Sequence, residues 1–375
     1  MKVALELQPC CGNRSGIGVY TYELARRLKD RNGLEFCGNL FNFMGRNDNS
    51  QALEGIKMPI RESRFFPYGV YRRIWNRVPI PYGSLFPGGA DLTLFFNYIV
   101  PPRVDGRVMT AIHDLTYLRY PETMDAKNLR RIQKGIEYSI RRSSRILTIS
   151  EFSKGELMEL LDVPEEKISV VYTAPSLPPK SADFEECARK WGIKCPYLLY
   201  VGTIEPRKNL VRLLRAFDLL KSREKIPHQL VLAGGRGWRD GEIMETAQTI
   251  QHAQDVIFTG YVSAEEKNAL YQNAAAFVFP SLYEGFGIPP LEAMALGCPV
   301  VCADAASLPE AVGDGAELVD PLEEESIAAG LLRVLSDREY AAELVKRGRR
   351  HAEKFTWGES AEKLTQICKE ILEVP

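Results

Sequence analysis

The apolar positions of this chain fall into short runs of four to seven residues, separated by longer stretches of helical period. In the first half VALELQ reads as a strand, followed by the glycine-bearing loop CCGNRSGIG. A helix is expected from about Val19 to Lys29, where Tyr22, Leu24, Ala25 and Leu28 form an apolar stripe. Further strands are read at LEFCGNLFNF, DLTLFF, RVMTAI, RILTIS and ISVVY, with helices over Lys127–Ser143 and Lys154–Leu161. Short apolar strands alternating with helices predict a parallel sheet covered on both faces.

The second half repeats this grammar. PYLLYVG, HQLVLAGG, VIFTGYV, AAFVFPS and PVVCADA read as strands, and NLVRLLRAFDLL and IPPLEAMALG as helices. Ser263 with Glu266 three residues on is the signature of a capping box that opens a helix. The Pro- and Ser-rich stretch TAPSLPPKSADF has neither period, so the seam is placed near 173–195. The expected organisation is α/β throughout: a Rossmann-like domain over 1–175, another over 190–356, and a final amphipathic helix in 357–375, with its return to the first domain left open. In doubly wound sheets ligands bind beyond the carboxyl ends of the strands, so the chemistry is sought in the loops that follow strands.

Composition changes this picture little, and charge changes it more. The 375 residues suit two domains, and no apolar run approaches the roughly 18–20 residues of a membrane span. The N-terminus has no signal-peptide pattern. Eight scattered cysteines and four dispersed histidines show no metal-ligand spacing, so thiols in a reducing cytoplasm are expected and no metal. The net charge of −1 hides an asymmetry: residues 1–175 carry about +6 and residues 176–375 about −7. A basic half is attracted to anionic partners, such as lipid headgroups or a phosphorylated acceptor.

Four constellations carry candidate chemistry. Gly16 and Gly18 precede a helix, where glycine lets a phosphate approach the backbone, although a tight turn explains them as well. No third glycine or acidic ribose ligand follows, which speaks against a dinucleotide fingerprint. His113 closes the strand VMTAIH, and Asp114 is either its orienting partner or a loop cap. Arg207 and Lys208 follow the strand PYLLYVG and precede a helix, a position that favours an anion and suits a diphosphate. The most specific is Glu284-Gly285-Phe286-Gly287-Ile288-Pro289-Pro290-Leu291-Glu292, a glycine loop running into a proline-started helix with a carboxylate at each end. One carboxylate can take sugar hydroxyls and the other a ribose diol.

With these residues in order, EGFGIPPLEAMALGCPVV resembles the E-x7-E motif of the retaining GT-B glycosyltransferases of family 4, the glycosyltransferase group 1 enzymes. YVGTIEPRKNL, SGIGVY and His113-Asp114 match the same family in order, so the resemblance spans essentially the whole chain. It implies two Rossmann-like domains facing across a cleft. It implies that Arg207 and Lys208 bind a donor diphosphate, Glu292 the ribose, and Glu284 the transferred sugar. Backbone N–H groups near Phe286, Gly287 and Ile288 would hold sugar and phosphate, Gly16 and Gly18 the diphosphate, and His113 the reacting face of the sugar. Tyr261 and Val262 would lie near the base. Arg207 and Lys208 are adjacent where many relatives space the two cations apart, which leaves open which one reaches the second phosphate.

The implied reaction is transfer of a hexose with retention, without metal or cofactor, the nucleotide-sugar being a co-substrate. The motif style is similar to bacterial mannosyltransferases of surface-polysaccharide assembly, which implies GDP-mannose, with a UDP-hexose as the alternative. The acceptor implied is a saccharide or a polyprenyl-diphosphate-linked saccharide. A non-transferring relative such as a nucleotide-sugar epimerase is a second reading, and a binding module without activity a third. Nucleic acid is not an expected partner. The segment Lys57–Tyr82 interleaves Arg61, Arg64, Arg72, Arg73 and Arg77 with Phe65, Phe66, Tyr68, Tyr71 and Trp75. That composition suits peripheral contact with an anionic membrane on its cytoplasmic face, and equally a partly packed helix.

Overall fold

The strands of the chain assemble into two wholly parallel sheets in a computed structural model that describes residues 1–12, 16–30, 33–75, 77–78, 80–194 and 196–373. Parts of three readings lie outside the described residues: positions 13–15 of the first glycine loop, positions 76 and 79 of the basic aromatic segment, and Cys195.

One compact unit comprises residues 1–117, 126–173 and 356–375. Its strands are β1 (Lys2–Glu6), β2 (Glu35–Phe41), β3 (Ile60–Ser63), β4 (Leu92–Phe95), β5 (Arg107–Ala111), β6 (Arg145–Thr148) and β7 (Ile168–Val170), in the order β3-β2-β1-β4-β5-β6-β7. The other unit comprises residues 118–125 and 174–355. It holds β8 (Tyr197–Val201), β9 (Gln229–Ala233), β10 (Val256–Gly260), β11 (Ala276–Phe279), β12 (Val300–Ala303) and β13 (Glu317–Val319), in the order β10-β9-β8-β11-β12-β13. Both sheets run out from a central strand in one direction and then jump back, so each has a switch point: between β1 and β4, and between β8 and β11. This is the doubly wound Rossmann-like α/β architecture read from the sequence.

The central strands are buried on both faces, as βαβ connections demand. Val3, Ala4 and Leu5 have no exposed surface, and neither do Tyr197 to Tyr200 or Leu230 to Ala233. Helices α1 (Gly16–Ala25), α2 (Tyr68–Ile74), α3 (Thr116–Arg119), α4 (Ala126–Arg142) and α5 (Glu151–Leu161) precede the seam. After it come α6 (Phe184–Trp191), α7 (Leu210–Glu224), α8 (Gly241–Thr249), α9 (Ala264–Asn273), α10 (Ile288–Ala295), α11 (Leu308–Val312), α12 (Glu324–Ser336) and α13 (Arg338–Ala352). The last helix, α14 (Trp357–Glu373), belongs to the first unit, where Trp357 packs on Tyr20 at 5.8 Å and Ser360 Oγ donates to the Tyr172 carbonyl at 2.7 Å.

Two expectations are corrected. The first helix starts at Gly16 rather than Val19 and ends at Ala25, its last turn closing through Leu28 N–H to the Leu24 carbonyl at 3.1 Å. The segment Lys57–Tyr82 contains a strand, because Ile60–Ser63 adds to the edge of the sheet beside β2. Of the two readings of this segment the structure matches the partly packed helix: Tyr71 is fully buried and Trp75 nearly so, while Phe65 is 73% exposed. No helix among the described residues is long and apolar enough to cross a membrane. The thiols of Cys37, Cys187, Cys298, Cys302 and Cys368 are unpaired and buried, and burial pushes that of Cys298 up to about 12.

Residues 118–125 pack as part of the second unit. Trp238 Nε1 donates to the Thr123 carbonyl, Arg239 to the Glu122 carbonyl, and the Tyr120 ring lies 5.6 Å from that of Tyr283.

Candidate active site

The switch point of the second sheet gathers the charged side chains of Glu205, Arg207, Lys208 and Glu284. Strand β8 ends at Val201, and the chain passes through a short 3₁₀ turn, Pro206–Lys208, into α7. The ends of β8 and β9 run so close that a Cβ on Gly234 would lie 1.9 Å from the Gly202 carbonyl oxygen, so only glycine fits. Across the switch point β11 leads into Ser281 to Gly287 and then α10. The two loops are stitched together. Leu282 N–H donates to the Arg207 carbonyl at 3.0 Å, and Asn209, in a left-handed conformation, donates through Nδ2 to the carbonyls of Pro280 and Pro321 at 3.1 and 2.6 Å.

This stitching brings Arg207, Lys208 and Glu284 together. Arg207 Nη1 lies 3.1 Å from Glu284 Oε2 and donates also to the Tyr283 carbonyl, while Nη2 lies 2.8 Å from Glu205 Oε1. Lys208 Nζ is 2.6 Å from Glu284 Oε1 and 5.3 Å from the centre of the Phe279 ring. Ser281 Oγ donates to the same Glu284 oxygen at 2.5 Å. Burial alone would push the Glu284 carboxyl up. The charges of Arg207 and Lys208 and the hydrogen bonds from Lys208 and Ser281 outweigh it and hold it at about 2. Burial, and then the neighbouring guanidinium, push the Lys208 ammonium down. Two cations and two carboxylates thus form a pre-neutralised cluster, so the anion that the sequence asks for beside Arg207 and Lys208 is supplied in part by Glu205 and Glu284. Glu284 is ionised at neutral pH, which makes it a holder of cations rather than a proton donor.

Glu292 lies in α10 and its carboxylate faces other partners. Lys267 Nζ contacts both its oxygens, at 2.6 and 2.7 Å, and the Tyr271 hydroxyl donates at 3.3 Å. Burial raises its pKa against the pull of Lys267. The loop between the two glutamates is held by Ser307, whose Oγ lies 2.8 Å from the Glu284 carbonyl and 2.9 Å from that of Phe286. Phe286 is buried against Phe355 at 5.2 Å. Gly287 caps α10 at φ 133°, and a Cβ there would sit 2.9 Å from Leu308 Cδ2. Gly287→Ala should therefore cost about 1–3 kcal/mol of stability, from strained backbone and overpacking together. A thermal midpoint equal to wild type would show that the loop adapts freely. Pro289 and Pro290 have no N–H, so Ile288 and the loop itself must supply the backbone donors at this helix start.

Of the other predicted residues, His113, Gly16 and Gly18 belong to the first unit, and Tyr261 and Val262 to the second. In the first unit His113 is buried, with Nε2 2.8 Å from the Phe96 carbonyl and its ring edge-on to Tyr20 at 5.1 Å. Against a carbonyl the Nε2 must carry the proton, which leaves Nδ1 as an acceptor. Burial pushes the His113 pKa down, so the ring is neutral. Asp114 is a loop cap, accepting the Thr116 N–H at 3.0 Å. Gly18 is buried in the first turn of α1, and Gly16 is exposed with nothing within 4 Å of a would-be Cβ. In the second unit Tyr261 is 86% exposed beyond the edge strand β10, and Val262 is buried. Glu205, Ser281, Ser307 and Lys267 were not singled out by motif reading. For Lys267 and Tyr271 a signal existed: the capping box at Ser263 starts α9 and puts them four residues apart on one face. Among the described residues no group of three or more His, Cys, Asp or Glu is placed to hold a metal ion.

Comparison with known proteins adds a lineage to this geometry. Residues 183–351 match the family described as glycosyl transferases group 1. The chain is 31% identical over 374 residues to O-antigen chain mannosyltransferase B of Escherichia coli, covering 95% of this chain and 96% of that protein. It is 28% identical over 287 residues to the serotype-specific mannosyltransferase WbdA of Escherichia coli, of which the match spans 35%. Among solved structures, Anabaena Alr3699/HepE in complex with UDP-glucose superposes with a TM-score of 0.74 at 18% identity, over 99% of this chain and all of that one, a likeness of fold.

Proposed function

The chain belongs to the glycosyl transferases group 1 family and is a glycosyltransferase; from that premise we propose that it moves mannose from GDP-mannose, with retention, to a saccharide or lipid-linked saccharide in surface-polysaccharide assembly. The 31% identity, over nearly the full length of both chains, to an O-antigen mannosyltransferase supports the sugar. The observation that carries the chemistry is the half-buried Arg207–Lys208–Glu284 cluster at the switch point.

In this reading the acceptor oxygen bonds to the anomeric carbon as the bond from that carbon to the diphosphate breaks. The acceptor's proton passes to a diphosphate oxygen, and GDP leaves. The diphosphate gains charge in the transition state. Arg207 and Lys208 are already fixed by Glu205 and Glu284, so they meet that charge without reorganising. Glu292, held by Lys267 and Tyr271, takes the ribose diol. His113 is assigned to the reacting face of the sugar, where a neutral ring accepts from a hydroxyl.

A thermal-shift panel of GDP, UDP, ADP and dTDP tests the donor. A nucleotide at a hundred times its dissociation constant adds about 2.7 kcal/mol of stability. GDP is expected to give the largest shift. A shift with UDP and none with GDP would replace the donor by a UDP-hexose, and no shift with any of the four would remove the nucleotide-sugar reading.

A further inference from the structure

The first unit contains a cavity of about 460 Å³ that no step of the transfer chemistry uses. It lies between α2, the loop that follows β4, and the middle of α4. Both the β4 loop and α2's neighbour Glu6, at the end of β1, belong to the switch point of this sheet, the place where such sheets take ligands.

Four cations line the cavity: Arg72, Arg73, Arg131 and Lys134. Among the described residues none of them has a carboxylate within ion-pair distance, although the chain pairs many of its other cations, Arg223 with Glu325 among them. Arg131 Nη2 is met only by neutral amides, Asn128 Oδ1 at 2.9 Å and Asn97 Oδ1 at 3.3 Å. Arg131 Nε is buried and has no hydrogen-bond partner. Burial, and then the like charge of Arg72, push the Arg131 pKa down, so the two guanidinium groups lie within each other's field. Glu6, whose field reaches Arg72, does not neutralise them, because burial pushes its carboxyl up to about 8. The cluster therefore lacks an anion.

The walls between the cations are apolar. Trp75, Ile99, Val100 and Tyr138 supply them. The volume is that of sites which enclose organic ligands, larger than a bare phosphate needs. The geometry also argues against a flat membrane contact. Trp75 and Tyr71 of the same basic segment point inward and are buried, so they are not available for insertion between lipids.

We propose that this cavity binds a phosphate- or diphosphate-headed amphiphile, with the anionic head among Arg72, Arg131 and Lys134 and the first part of the apolar chain along Trp75, Ile99 and Tyr138. The inference deepens the acceptor half of the transferase reading and rests on it: the ligand is the carrier to which the growing saccharide is attached.

The test uses the full chain and four probes: farnesyl diphosphate, inorganic pyrophosphate, farnesol, and phosphatidylcholine vesicles with or without phosphatidylglycerol. Calorimetry should show farnesyl diphosphate binding at least about tenfold more tightly than pyrophosphate or farnesol, since head and chain each contribute. Arg131→Gln should weaken it by about tenfold or more, the loss of a charge-assisted hydrogen bond. Lys134→Gln, at an exposed position, gives the same reading should Arg131→Gln fail to fold. Farnesyl diphosphate binding no tighter than pyrophosphate, or unchanged in both variants, overturns the proposal. So does binding to anionic vesicles without binding to farnesyl diphosphate, which would assign the cations to a lipid surface. The nucleotide shift measured on the same preparations keeps the two readings apart. If it persists while the amphiphile fails to bind, only this inference falls. If it too is absent, the transferase reading of the site falls with it.

Discussion

Arg207→Ala should slow transfer by about two to three orders of magnitude, roughly 3–4 kcal/mol of transition-state stabilisation, with little change in KM. The guanidinium is 17% exposed and clamped by two carboxylates and a carbonyl, so its donors are aimed before the diphosphate begins to leave. The same clamp complicates the experiment. Removing Arg207 leaves Glu205 and Glu284 sharing Lys208, and an uncompensated buried carboxylate costs about 3–5 kcal/mol of stability. Arg207→Lys separates the two effects. It restores the charge and most of the thermal midpoint, but it does not restore the planar fork that meets two oxygens at once. Single-turnover rates that stay low in Arg207→Lys while its midpoint recovers would place the fork in the transition state. Near-wild-type turnover in Arg207→Ala would sink the assignment. Acidity does not confound the comparison. The Glu284 carboxyl is depressed to about 2, so its stabilising charge is fully present above the ordinary carboxylate range and is lost only as pH falls towards 2.

Both sheets were legible because burying a strand on two faces leaves an unbroken apolar run, as in Tyr197–Val201 and Ala276–Phe279. Edge elements were not. The strand Ile60–Ser63 carries Arg61, Glu62 and Ser63, and only its pairing with β2 makes it a strand. The helices between Leu308 and Ala352 drew no reading, since α13 shows solvent two charged faces around Leu344, Gly348 and Ala352. The site divides in the same way. Arg207, Lys208 and Glu284 stand out because charges and glycines beside strand ends are chemically conspicuous. Ser281 and Ser307 do not, because a serine that holds a carboxylate or two carbonyls has no local pattern; its role exists only once β11, α10 and α11 are folded together. Charge balance was equally hidden. The pairing of Arg207 with Glu205 and Glu284 joins one position far along the chain as well as a near neighbour, and no spacing rule reports it.

Glu6→Gln should make the protein more stable than wild type at pH 8, by roughly several kcal/mol, and no more stable near pH 4.5. Glu6 ends β1, is 3% exposed, and accepts the Gln8 N–H at 3.2 Å. Burial pushes its carboxyl from the ordinary 4.5 up to about 8, against the pull of that N–H and of Arg72. The folded state therefore keeps a proton that the unfolded chain has already released. Between those two values stability falls by about 1.4 kcal/mol for each unit that pH rises, and it levels off above 8. Glutamine accepts the same N–H without a charge to desolvate, so the variant lacks this slope. Tyr68 and Tyr82, which face the carboxyl, have phenols pushed up by burial first and by Glu6 second, so neither titrates in the window. Urea unfolding of both proteins from pH 5 to 9 reads the difference directly, and parallel curves would show that the carboxyl is not held protonated. The same proton bears on the cavity beside it. While Glu6 is neutral the charge of Arg72 is left for a ligand, and once Glu6 ionises it competes for that charge. Farnesyl diphosphate should therefore bind the wild type more weakly above about pH 8, and Glu6→Gln should lose that dependence.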